Sequence, residues 1–193
     1  MRRILCIGDS NTRGFDPRSY GGGRYAPDVR WTGRLPGWET VNDGINGRTI
    51  PTAREYPDTE RLLRGEPIDA VCVMLGTNDL LRGASAEEAG AALENYLRFL
   101  RGAAGDTPIV LIAPPPFRPS EWVTSAARIA ESEEFAAVCR SLAGRLGLFF
   151  ADAGRWNVEL SFDGVHFTAG GHAAFAAGLS ETLSDIERNT ISI

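Results

Sequence analysis

Five short apolar runs, separated by helix-like segments, restrict the fold of this chain more than any other feature. They are Arg3 to Ile7, Thr40 to Val41 with their neighbours, Ala70 to Leu75, Ile109 to Ala113 and Leu148 to Ala151. Strands that alternate with helices build a parallel sheet covered by helices. Ser85-Ala86-Glu87-Glu88 is a capping box, and Ala89, Leu93, Tyr96, Leu97 and Leu100 then recur at helical spacing, predicting a helix that ends near Gly102. A second helix is expected from about Ser125 to Leu146, with Ala127, Val138, Leu142 and Leu146 on a shared face. A last one begins after Thr168 and turns Phe175, Leu179, Leu183 and Ile186 inward. At 193 residues, with no repeat, low-complexity tract or linker, residues 1–193 are expected to form one domain. Its architecture is expected to be a three-layer α/β/α sandwich around a five-stranded parallel sheet of flavodoxin-like order.

Composition removes several classes of function. Twenty basic and 25 acidic side chains leave a net charge of -5, with no basic run of the kind a nucleic-acid binder presents. All the basic side chains are arginine, and without lysine there is no Schiff-base chemistry, Ser-Lys dyad or phosphate-binding Walker lysine. No segment approaches the ~20 apolar residues that span a bilayer. The apolar run after Met1-Arg2-Arg3 is too short for a signal peptide, so a cytoplasmic protein is expected. Cys6, Cys72 and Cys139 lie in apolar patterns without a CxxC or Cys/His cluster, which reads as buried inert thiols and no metal site.

Two segments at opposite ends of the chain carry the chemistry. Gly8-Asp9-Ser10-Asn11 follows the first strand, and Asp163-Gly164-Val165-His166 puts a carboxylate three residues before an imidazole. A hydroxyl, a general base and an acid that orients the base are what nucleophilic catalysis by serine requires. Taken alone, Ser10 is equally suited to a turn or a helix cap, and His166 to a structural role. Two further loops match the remaining task. Asn42-Asp43-Gly44-Ile45-Asn46-Gly47-Arg48-Thr49 follows the second strand and Gly76-Thr77-Asn78-Asp79 the third. Backbone amides and a primary amide can hold a developing oxyanion without adding a titratable group. Asp9, Asp79 and Asp152 read as turn braces, and His172 as a packing or helix-start residue. Three irregular stretches, residues 16–27, 114–121 and 154–162, adjoin strand ends and are expected to line a pocket.

These four blocks, in this order, resemble those of the SGNH hydrolase superfamily, also called the GDSL esterase/lipase family. The resemblance implies a serine esterase with Ser10 as nucleophile, Asp163 and His166 as its partners, and no cofactor. It also implies an oxyanion hole from the amides of Ser10 and Gly47 and the Asn78 side chain. Gly47 rather than Gly44 is the expected donor, because the family glycine falls a few residues after the leading asparagine, here Asn42. Residues 24–33 and 74–79 are similar to the arylesterase and acyltransferase branch, whose members act on small, often aromatic, esters and often assemble into oligomers. Asn11 stands where that branch carries Leu, and Arg13 where it often carries Trp. Asn11, Arg13, Trp31 and Trp156 are the expected pocket residues for a small-molecule ester. Deacetylation of a sugar or glycoside, or acyl transfer, is the nearest variant. A flavodoxin-like protein that cradles a phosphate in the loop from Gly8 to Gly14 is the alternative outside enzymes.

Overall fold

The computed structural model describes residues 1–19 and 21–191. Five parallel strands, β1 (Arg2–Gly8), β2 (Trp38–Gly44), β3 (Ala70–Met74), β4 (Ile109–Ala113) and β5 (Phe149–Asp152), form one sheet in the order β2-β1-β3-β4-β5. This is the expected flavodoxin-like order, and the architecture is the three-layer α/β/α sandwich. Register is set by β1, which pairs along its whole length with β2 and from Ile4 to Gly8 with β3. Because side chains alternate along a strand, each strand feeds two cores. Leu5, Ile7, Val71, Val73, Ile109 and Leu111 face one core, and Ile4, Cys6, Cys72, Met74, Val110 and Ile112 the other.

The first core is closed by α4 (Ala86–Ala104) and α5 (Ala126–Leu146), with the shorter α2 (Tyr56–Arg64) at its edge. The capping box at Ser85 and Glu88 is formed as expected, and α4 runs two residues past Gly102 to Ala104. The α5 helix starts after its Ser125 cap, and Val138, Leu142 and Leu146 pack on the core as expected. Ser132, Phe135, Cys139, Leu142 and Ala143 point inward, whereas Ala127 is exposed. The second core lies under α6 (Ala169–Ile191), which lays Phe175, Leu179, Leu183 and Ile186 against the sheet as predicted. All three cysteines are buried and free, and burial pushes the thiols of Cys6 and Cys139 up. Among the described residues, no helix is long and apolar enough to cross a membrane.

Two short helices begin directly at strand ends. The chain leaves β1 at Gly8 and turns at once into α1 (Ser10–Arg13), and it leaves β3 into α3 (Thr77–Leu81). Gly8 makes the first turn possible: a Cβ there would lie 2.0 Å from the Thr12 hydroxyl and 2.9 Å from the Met74 carbonyl. The carboxyl ends of β1, β2 and β3, and the loops that continue from them, therefore share one edge of the sheet, where folds of this kind bind ligands.

Candidate active site

Ser10 is the first residue of α1, and its position is fixed by the residue before it. Asp9 is fully buried, and its Oδ1 accepts the Asn11 N–H at 2.9 Å, capping the helix. Burial raises the Asp9 carboxyl above its ordinary value, against the opposing pull of that N–H. The Ser10 carbonyl accepts the N–H groups of Gly14 and Phe15, each at 2.9 Å, so the short helix is closed at both ends.

The Ser10 hydroxyl meets a side chain 156 residues away. Ser10 Oγ lies 2.9 Å from His166 Nε2, and His166 Nδ1 lies 2.6 Å from Asp163 Oδ2. The other carboxylate oxygen, Asp163 Oδ1, accepts the N–H groups of Val165 at 3.0 Å and His166 at 2.9 Å. Burial favours the neutral acid at Asp163, yet the His166 imidazole and these two N–H groups outweigh it and hold the carboxyl below its ordinary value. An ionised Asp163 can only accept, so the proton between the pair sits on Nδ1. Nε2 is then left with a lone pair, and the Ser10 hydroxyl donates to it. The spacing from 163 to 166 works because the segment turns tightly: Gly164 N–H donates to Ser161 O at 2.9 Å, and Ser161 N–H to His166 O at 2.6 Å. This turn is tied to the loop after β4 through Arg118 N–H to Gly164 O at 3.0 Å and Ser120 Oγ to Asp163 O at 2.7 Å.

Gly47 and Asn78 come from neighbouring loops. Ile45 N–H donates to Gly8 O at 3.2 Å, which starts the loop after β2 beside the Ser10 turn. Asn78, at the start of α3, donates one Nδ2 hydrogen to Arg48 O at 2.9 Å, and Asp79 accepts the Ile50 N–H at 3.1 Å. Residues 47–50 are thus stapled to α3, and the second Nδ2 hydrogen of Asn78 is left over. Gly47 has a φ of 71° and carries an exposed backbone, while Gly44 has its N–H engaged by Asn42 Oδ1 at 3.0 Å. Arg48 braces the loop by donating to the Asp43 carboxylate at 2.8 Å. Asp9, Asp79 and Asp152 all accept main-chain N–H groups, the role their positions indicated.

The expected pocket residues fare differently. Trp31 is 1 % exposed, packed on Phe175 in the α6 core with its Nε1 donating to Asn11 O at 3.0 Å. Trp156 lies edge-on to the same Phe175 and over Gly178. Both are packing residues of that core and not walls of the site. Asn11 is likewise buried, its amide bonded to Val165 O and the Phe167 N–H inside the protein. Arg13 ends α1, partly buried, with its Nε lacking a hydrogen-bond partner. The aromatic groups beside the site are others. The Phe15 ring lies 4.7 Å from the His166 ring, and Trp122 (71 % exposed) meets Phe162 (60 % exposed) edge-to-face next to Asp163. Loops 114–121 and 154–162 line a cavity of about 360 Å³ that includes Arg118, Pro119 and Asn157 but neither Ser10 nor His166. His172 is fully buried against Tyr25 and Phe167, and burial, with help from Arg30 and Arg34, lowers its pKa to about 4.

Comparison with known proteins points to one family. The GDSL-like lipase/acylhydrolase family model matches residues 6–174, from within β1 to within α6. An Agrobacterium tumefaciens protein inferred to be an arylesterase is 30% identical with a TM-score of 0.82, covering 96% of this chain and 100% of its own. The aryl esterase of M. smegmatis is 26% identical with a TM-score of 0.79, covering 96% and 99%. A carbohydrate acetylesterase family member from Sinorhizobium meliloti is 27% identical with a TM-score of 0.81, covering 95% and 97%. No curated protein sequence matches the chain. With the family model spanning both ends of the Ser10–His166–Asp163 relay, the chain belongs to the GDSL-like lipase/acylhydrolase family and is a carboxylic ester hydrolase of the SGNH type.

Proposed function

We propose that this protein hydrolyses small acetyl or aryl esters through an acyl-enzyme on Ser10. The observation that carries the reading is the unbroken relay of two short hydrogen bonds from Ser10 Oγ through His166 to the buried Asp163 carboxylate. In the first step His166 Nε2 takes the hydroxyl proton while Oγ attacks the ester carbonyl. Asp163 holds the tautomer and stabilises the imidazolium. Negative charge on the tetrahedral oxygen is met by the amides of Ser10 and Gly47 and the free hydrogen of Asn78 Nδ2. The C–O bond to the alcohol then breaks, and the alcohol leaves with the proton from His166. Water, deprotonated by the same imidazole, attacks the acyl-enzyme and frees Ser10.

Deacetylation of a sugar is the second reading, favoured by the exposed Trp122–Phe162 pair beside Asp163, since aromatic faces suit the apolar faces of sugar rings. A phosphate-binding role leaves the Asp163–His166 pair and the Asn78 loop without a task. A fluorophosphonate probe tests the common mechanism: intact mass is expected to show one adduct, lost in Ser10→Ala. Absence of that adduct in the unaltered protein, under conditions that label a control esterase, rules the reading out. A panel of p-nitrophenyl esters of rising chain length, run beside acetylated sugars, separates the two substrate classes.

A further inference from the structure

Asn11 takes no part in the chemistry above, yet it is among the most buried polar residues next to it, at 3 % exposure. Its Nδ2 donates to Val165 O at 3.1 Å, and its Oδ1 accepts the Phe167 N–H at 3.0 Å. Those two groups belong to the residues immediately before and after His166. The orientation of the amide is dictated by its partners, since the reverse setting would put an amino group against an N–H and an oxygen against a carbonyl. The Asn11 backbone is held as well, its N–H by Asp9 Oδ1 at 2.9 Å and its carbonyl by Trp31 Nε1 at 3.0 Å. Both ends of this residue are therefore fixed before it reaches across to the imidazole segment.

The other hydrogen bonds of that segment run elsewhere. Ser161, Arg118 and Ser120 tie it to itself and to the loop after β4. Among the described residues, the Asn11 amide supplies the hydrogen bonds, apart from the Ser10–His166 contact itself, that join the imidazole segment to the helix of the nucleophile. We infer that Asn11 is a positioning residue that sets the approach of His166 Nε2 to Ser10 Oγ by clamping the main chain on both sides of the imidazole. This rests on the reading of Ser10 as the nucleophile. A misplacement of about 1 Å between reacting groups costs on the order of 10²-fold in rate, so a clamp of this kind acts on turnover and not on substrate affinity.

Two variants test it, each measured for kcat and KM on p-nitrophenyl acetate from pH 5.5 to 9, for the rate of fluorophosphonate labelling, and for folding by near-ultraviolet circular dichroism. Asn11→Leu nearly conserves volume but makes neither bond. Its kcat and labelling rate are expected to fall roughly 10- to 100-fold, with KM within about twofold. Asn11→Asp, buried and next to the Asp9 carboxylate, favours the neutral acid, whose hydroxyl donates to Val165 O and whose carbonyl accepts from Phe167 N–H. It is expected to stay within about fivefold of the original kcat near pH 6.5 and to lose activity as the pH rises and the new carboxyl ionises. No such alkaline decline is expected of the unaltered protein, and a purely structural role for residue 11 would not create it. Equal labelling and turnover in Asn11→Leu and the unaltered protein overturn the inference while leaving the Ser10 reading intact; an unaltered protein that takes no label overturns that reading instead. Where Asn11→Leu does not fold, Asn11→Asp decides alone: the alkaline decline supports the clamp, and a profile parallel to the unaltered one refutes it.

Discussion

Replacing Asp163 by Asn tests the relay most directly, because the structure forces the new amide to choose between two faults. Asp163 Oδ2 faces His166 Nδ1 at 2.6 Å, and Oδ1 accepts the N–H groups of Val165 and His166 at 3.0 and 2.9 Å. An amide has one accepting oxygen and one donating nitrogen. If its oxygen stays on the two main-chain N–H groups, its nitrogen points at Nδ1. The imidazole must then accept there and carry its proton on Nε2, so it can no longer take the proton from Ser10. A loss of that tautomer costs on the order of 10⁴ in kcat, equivalent to about 5 kcal/mol of barrier. If the amide flips, the tautomer survives but two buried N–H groups face an amino group. At about 1–3 kcal/mol for each donor left unpaired, the flipped setting costs about 2–6 kcal/mol of stability. The first setting is the cheaper for the fold, so Asp163→Asn is expected to melt near the original temperature while kcat on p-nitrophenyl acetate drops about 10⁴-fold. A variant within about tenfold of the original kcat at an unchanged melting temperature would show that Asp163 does not set the imidazole tautomer.

Asn78→Ala removes one of the proposed oxyanion donors, and its kcat is expected to fall by roughly 10²–10³ with the fold retained; an unchanged rate takes Asn78 out of the mechanism. His172 binds its proton more weakly in the folded protein, with a pKa of about 4 against an ordinary 6.5, so its contribution to stability is complete above about pH 6.5 and is lost as the pH falls toward 4. That difference amounts to about 3 kcal/mol. Urea unfolding at pH 7 and pH 4 is expected to show His172→Phe losing about that much less than the unaltered protein, and equal losses would contradict the assignment. Gly164 has a φ of 74°, and a Cβ there would lie 2.2 Å from the Arg118 carbonyl. Gly164→Ala is expected to cost more than about 1 kcal/mol and to lower kcat by displacing Asp163 and His166 together; full activity at unchanged stability would show that the turn relaxes freely.

How much of the molecule is legible in its sequence depends on how far each interaction reaches along the chain. The strands around Leu5, Val73 and Leu111 were readable because burial on both faces demands unbroken apolar runs, and α4 because a capping box and a helical stripe are local patterns. The α2 helix is harder to read, since Tyr56, Leu62 and Leu63 face the core from a short, charge-rich segment in which only Thr59 is fully buried. In α5 the stripe at Val138, Leu142 and Leu146 is legible from its spacing, while Ala127, in the first turn, lies beyond the core and is exposed. The turn from Asp163 to His166 was visible from spacing alone. Its meeting with Ser10 needed the resemblance, because sheet topology brings them together. Tryptophans were the least legible: an indole suits a core and a rim equally, so Trp31 and Trp156 looked like pocket walls and proved to pack under α6. Phe15, five residues after Ser10 and in ring contact with His166, carried no signal that distinguished it from other loop aromatics.

The separation of 156 residues between the hydroxyl and the imidazole has a kinetic meaning. Contacts so remote along the chain close late, after the intervening strands have paired and their loop entropy has been overcome. Covalent capture of Ser10 during refolding is therefore expected to report the assembled site, since a chain whose final segment is undocked lacks the imidazole beside the hydroxyl.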